Sequence, residues 1–206
     1  MKKIISLLLA VMLVVSLAAC GGNAQTNEPG NTEGNKVAAP ASALEILEKV
    51  WGTYTEDEKF PVVGGDSAYH AAQMDADENY MMPSAPGKFA LTETDELTFK
   101  MLVPETEYSK LTDAATMTHM MNGNNFSCGV YRLAAADVDA FVTAMKAAVT
   151  GNQWMCGMPE ALLIATIADE YVLVAWGIGD AMNPFETKFV SAYPEAKLVV
   201  DEAIAG

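Results

Sequence analysis

Apolar positions recur at spacings of three and four over residues 41–54, where Leu44, Leu47 and Trp51 share a face with Ile46 and Val50 beside them. This spacing predicts an amphipathic helix with Ser42 as its cap. Residues 60–90 keep no period, because Pro61, Gly64, Gly65, Pro83, Pro86 and Gly87 interrupt every candidate element. Loops with one or two short pieces are expected there, and an irregular stretch of that length is often functional or mobile. Between 94 and 122 the pattern predicts two short helices parted at Pro104, the second over 105–121 with Gly123 near its end as a stop. Residues 125–133 read as a strand. In the next helix Val138, Phe141, Val142, Met145 and Val149 line one face, between Asp137 as cap and Gly151 as terminator.

The runs at 161–168 and 171–176 are almost continuously apolar and are joined by a tight hairpin at Asp169-Glu170. Such runs suit strands covered on both faces. One face is expected to meet helices, the other more of the domain or a second copy. A helix over 183–193 and a short strand near 197–200 finish the chain. From residue 125 the order is strand, helix, strand, strand, helix, strand, which predicts an α+β fold with a small, mostly antiparallel sheet packed with helices.

The start of the chain carries a different pattern. Met1-Lys2-Lys3 is basic, Ile4 to Leu17 is apolar apart from two serines, and the stretch closes on Leu17-Ala18-Ala19-Cys20. A charged head, a short apolar middle and small residues describe a secretory signal peptide. Its apolar run falls short of the ~20 residues that span a bilayer as a helix. Leu-Ala-Ala-Cys resembles the bacterial lipobox, and that resemblance implies acylation of Cys20 with cleavage just before it. Two or more acyl chains hold a protein firmly at a membrane. The expected organisation is a cleaved leader over 1–19, lipidated Cys20 with a flexible tether to residue 40, and one globular domain over 41–206 on the outer face of the cell membrane.

The tether is rich in Gly, Asn, Thr, Glu and Pro, and as a coil it reaches roughly 25 Å. Across the whole chain 27 acidic residues face 12 basic ones; loss of Lys2 and Lys3 with the leader leaves 10. So acidic a chain repels nucleic acid. The C-terminal half is also similar to a small lipoprotein domain of unknown function from Gram-positive-type bacteria. The similarity rests on the strand over 126–133, the Asp-Val-Asp-Ala-Phe helix and the Glu-Tyr-Val-Leu-Val-Ala-Trp strand. It implies fold and location and brings no catalytic residue.

Chemistry-bearing residues are sparse. With Cys20 lipidated, Cys128 and Cys156 remain. In an oxidising compartment they are candidates for a disulfide, and buried unpaired thiols are the other reading. Cys156-Gly157-Met158-Pro159 lacks the second cysteine of a redox motif. A cysteine nucleophile would need His70 or His119 as base, and no G-x-S-x-G occurs. No catalytic residue and no cofactor is therefore assigned.

Methionine is unusually frequent: 13 in all, 11 of them beyond the leader, clustered at 81–82, 117–121 and 155–158. Thioether and thiolate ligands suit Cu(I), which makes Met117, Met121 and Cys156 candidates. On a helix over 105–121, Met117 and Met121 would share a face with Leu111 and Ala114 while His119 points elsewhere, and core packing competes with copper. Asp75-Ala76-Asp77-Glu78-Asn79 begins like a calcium loop, with Asp75 and Asp77 as candidates, but Tyr80 replaces its glycine and Pro86 its last glutamate. Gly177-Ile178-Gly179-Asp180 reads as a turn, with Asp180 or Asn183 capping the following helix. The functional expectation is a non-enzymatic, lipid-anchored module that binds another envelope component or a small ligand. The alternatives are a copper- or calcium-binding accessory protein and, less favoured, a hydrolase built from the 60–90 region.

Overall fold

In the computed structural model, which describes residues 39–205 apart from Glu78, Ser42 opens the first helix. Its Oγ accepts from the Glu45 amide at 3.1 Å, satisfying one of the amides a helix start leaves without a partner. α1 (Ala43–Trp51) buries Ala43, Ile46, Leu47, Val50 and Trp51 along one side and ends at Gly52. The leader, Cys20 and the tether as far as residue 38 lie outside the described residues.

The stretch without periodicity holds β1 (Val62–Val63), α2 (Ser67–Ala76) and β2 (Gly87–Lys88). α3 (Thr94–Phe99) and a 3-10 turn at Glu105–Lys110 lie on either side of Pro104. The helix expected over 105–121 does not form; after the 3-10 turn the chain becomes β3 (Asp113–His119). Ala115 and Met117 enter one core layer and Ala114 the other. Burial on both faces removes the alternation that marks a strand, and Ala and Met are good helix formers, so the segment reads as helical.

β4 (Phe126–Arg132), α4 (Val138–Thr150), β5 (Ala161–Ile167), β6 (Tyr171–Gly177), α5 (Gly179–Ala192) and β7 (Lys197–Ala203) complete the α+β domain. Two expected caps are replaced. Asp137 makes no side-chain cap and instead closes a 3-10 turn before α4. α5 starts at Gly179 rather than 183, with no side-chain cap from Asp180 or Asn183. The Gly179 amide donates instead to Glu160 Oε2 at 2.7 Å. Pro184 suits a helix's first turn, which favours the later start in sequence, yet it sits inside α5.

The seven described strands form one open antiparallel sheet in the order β1-β3-β4-β6-β5-β7, with β2 also paired to β3. Leu163, Ala165, Leu173 and Ala175 pack under α1 and α5. Leu162, Ile164, Val172, Val174 and Trp176 pack with Phe141, Met145 and Val149 of α4 on the other face. The chain closes both faces by itself, which accounts for the continuous apolar runs. At the β7 edge Ile164 pairs with Val200 but Ala165 with Leu198, so Val199 is bulged out. A bulge beside Asp201 and Glu202 discourages pairing with another strand.

Lys188 on α5 ties down the segment after α1. Its Nζ donates to Glu58 Oε2 at 2.8 Å and to the Thr53 carbonyl at 3.1 Å. The Lys188 hydrogen bond, followed by those from Thr55, lowers the Glu58 pKa from 4.5 to about 2. A lowered folded-state pKa gives stability that is present above the unfolded value and lost as pH falls from there toward the folded value. Glu58 is solvent-exposed, so the effect on stability is small and screened by salt. Titration of the Glu58 carboxyl by NMR is expected to centre near 2 in the native protein and to return toward 4.5 in Lys188→Met. An unchanged titration in that variant would remove Lys188 as the cause.

Candidate ligand-binding site

The connection from β3 to β4, Met120-Met121-Asn122-Gly123-Asn124-Asn125, is shaped by its asparagines. Asn122 Oδ1 accepts from the Asn124 amide at 3.0 Å, an Asx-type turn. Both side-chain amides then reach the segment before β5. Asn122 Nδ2 donates to the Cys156 carbonyl at 2.9 Å, and Asn124 Nδ2 to the carbonyls of Met155 at 2.6 Å and Gly157 at 2.8 Å. His119 Nδ1 accepts from the amides of Met121 and Asn122 at 3.2 and 3.4 Å, which leaves the proton of a neutral ring on Nε2. The ring stacks on Phe60.

Opposite this connection stands α2. Asp66 is 1% exposed. Its Oδ1 accepts from the Tyr69 amide at 2.7 Å, and Oδ2 accepts from the Ala90 amide. His70 Nε2 donates to the Gly64 carbonyl at 2.8 Å, and its Nδ1 accepts from the Tyr80 hydroxyl at 2.8 Å. Gly64 and Gly87 cross closely: a Cβ on Gly64 would lie 2.0 Å from the Gly87 nitrogen. Only glycine permits that approach of two backbones.

Between these walls lies a cavity of about 890 Å³, a size that suits small-molecule sites. Met74 of α2, Met82, Met120 and Met121 line it, with Phe99 and Leu102 at the end of α3. Trp154 and Trp176 also line it, their ring centroids 6.2 Å apart. Both indole nitrogens are buried and have no hydrogen-bond partner among the described residues.

The methionines divide cleanly. Met101, Met117, Met145 and Met182 are buried, whereas the four that line the cavity, and Met81, Met155 and Met158, are exposed to varying degrees. Two residues at or beside the cavity hold left-handed backbone. Leu102, at φ 56°, ends α3 through bonds from its own amide to Thr98 and from Val103 to Leu97, an exit where glycine is usual. Cys156, at φ 63°, belongs to the clamped segment. Such positions cost about 1–2 kcal/mol and tend to persist at functional sites.

The residues singled out from sequence are dispersed. Cys128 is buried under α1 and α5, where desolvation pushes its thiol pKa up and makes it a poor nucleophile. Cys156 is exposed, and among the described residues the two thiols are free and not joined to each other. Met117 is wholly buried and Met121 is 83% exposed at the turn. With β3 in place of a helix, the shared face expected for that pair does not exist. Asp75 lies in the last turn of α2 and Asp77 is its C-cap, with Asp77 Oδ1 accepting from the Asn79 amide. Among the described residues no group of three or more His, Cys, Asp or Glu is placed to hold a metal ion. Neither histidine hydrogen-bonds a thiol. Asp66, Asn122, Asn124, Trp154 and Trp176 build the site without having been singled out; the Asn-Gly-Asn-Asn run was the one local signal, as turn chemistry. No protein-family model, no curated protein and no solved structure matches the chain.

Proposed function

We propose that this chain is an extracytoplasmic binding domain, anchored to the membrane through Cys20, that takes a small and largely apolar ligand into the cavity between α2 and the β3–β4 connection. The observation that carries the reading is the methionine-lined cavity itself. Thioether side chains are flexible and polarizable, and they recur on surfaces that accommodate varied apolar partners. Their concentration around one cavity, with two asparagines and a buried aspartate fixing its walls, supports binding over core packing as the reason for the methionine excess. The lipobox-like Leu17-Ala18-Ala19-Cys20 supports the anchor. A tether of Gly, Asn and Thr would present the domain to ligands released near the membrane.

The test uses the Cys20→Ser chain beginning at residue 20, with N-phenyl-1-naphthylamine as an uncharged fluorescent probe. One probe is expected to bind per chain. Met74→Ala combined with Met121→Ala is expected to weaken it roughly tenfold, in line with the transfer energy of partly buried methionine. Both side chains are exposed, so folding should be retained. Absence of saturable binding, or affinity indifferent to the double substitution, would overturn the site. Retention of Cys20→Ser on membranes when expressed with its leader would overturn the anchor.

A further inference from the structure

We propose that Met74, Met82, Met120 and Met121 are sites of reversible oxidation, each taking one oxygen from a peroxide to become a sulfoxide, and that this closes the cavity to its apolar ligand while the domain stays folded. This rests on the cavity being a ligand site. The four thioether side chains that line it are all open to solvent, from 44% at Met120 to 83% at Met121. Met101, Met117, Met145 and Met182 are at most 3% exposed, and none of them lines it. Among the described residues, seven of the eleven exposed large apolar side chains are methionine, the others being Phe99, Val190, Leu198 and Val199. Leucine would supply similar apolar surface at these positions. What methionine adds there is a sulfur that oxidants reach.

The step is a two-electron oxygen transfer. A sulfur lone pair attacks one oxygen of hydrogen peroxide, and the S–O bond forms as the O–O bond breaks. The proton of the attacked oxygen passes to the leaving one, which departs as water, and sulfur loses the two electrons that the peroxide gains. Hydrogen peroxide carries no charge, so a chain of formal charge −15 does not repel it. The product is a polar, chiral side chain in place of a flexible apolar one. Covering its oxygen with hydrocarbon and no hydrogen-bond donor is unfavourable. The groups that fix the walls, Asp66, Asn122 and Asn124, hold them through carboxylate and amide hydrogen bonds that contain no sulfur. The four buried methionines are shielded within the two core layers, so binding is lost without the fold. In the reverse step the methionine sulfoxide reductases, one for each epimer at sulfur, pass two electrons from a dithiol and the oxygen leaves as water.

Hydrogen peroxide is applied to the Cys20→Ser chain beginning at residue 20, with Cys156→Ser added to remove the exposed thiol as a competing reactant. Peptide mapping by mass spectrometry is expected to find one added oxygen on each of the four lining methionines and none on the four buried ones, with native circular dichroism kept. Affinity for N-phenyl-1-naphthylamine is expected to fall about tenfold or more, since several apolar contacts are lost together. It should return when both reductases and a dithiol are supplied. With Met74→Leu, Met82→Leu, Met120→Leu and Met121→Leu combined, whatever affinity the chain has should be indifferent to peroxide, although Met81, Met155 and Met158 still oxidise. Dye affinity unchanged once the four are oxidised, an equal loss in the leucine variant, or oxidation of the four no faster than of the buried methionines would overturn the proposal while the site stands. A reduced chain that binds no dye would remove the site itself.

Discussion

Phe126→Ala is expected to lower the stability of the domain by about 3–5 kcal/mol, the range for emptying a buried aromatic site. Phe126 is wholly buried on β4, near the middle of the sheet. Its ring meets Phe60 at 5.2 Å and Phe185 at 5.1 Å between centroids, both edge-on. Offset and edge-to-face contacts of this kind add to the simple burial of area. Phe185 stacks in turn along α5 on Phe189. Removing Phe126 thus takes the common partner from the segment after α1 and from α5 at once. Small domains have only about 5–15 kcal/mol of stability in total, so the variant should unfold at far lower urea. Phe126→Leu, which leaves a smaller gap, should fall between. A loss under about 1 kcal/mol in Phe126→Ala would mean that Phe60 and Phe185 close the gap, against the close packing expected of interiors.

How much of this was legible in the sequence depends on where the information lies. α1 and α4 each carry their apolar face in one contiguous segment, and Ser42 is a local cap, so periodicity finds them. β5 and β6 are legible for the same reason, as apolar runs too short for most helices. β3 was misread because burial on both faces leaves no alternation to see. The 60–90 stretch was unreadable for another reason. β1 and β2 are two residues long, and α2 buries only His70 along its length. α2 is held instead by Asp66 and His70, through bonds whose partners lie outside it.

The candidate site shows the same division. The methionine clusters stood out, but their destinations did not: Met117 and Met120 are three residues apart, one in the core and the other at the cavity. The grouping of Met74, Met82, Met120 and Met121 is a product of the antiparallel pairing that brings β1 and β2 to the edge of β3. Nor does any local pattern distinguish the tryptophans with unpartnered indole nitrogens from Trp51, the last residue of α1, which packs in the other core layer.

Asp66→Ala should cost about 2–4 kcal/mol, combining a lost helix cap with a backbone donor left without its acceptor. It should also dismantle one wall of the cavity before the rest of the fold. Asp66 Oδ1 caps α2 at the Tyr69 amide, and Oδ2 holds the Ala90 amide in the segment after β2. α2 has little apolar burial to fall back on, whereas α4 buries Val138, Phe141, Met145 and Val149. Loss of the carboxylate should therefore appear as local opening, with free energy well below that of global unfolding. Hydrogen exchange provides the readout: amides of residues 67–76 should lose protection while those of α4 keep it. Asp66→Asn retains one acceptor oxygen and replaces the other by a donor, so it should be intermediate in both stability and exchange. Probe affinity should fall further in Asp66→Ala than the unfolded fraction alone explains, because folded molecules would lack an ordered α2. Uniform loss of protection across α2 and α4 would instead place Asp66 in the global fold and detach it from the shape of the cavity.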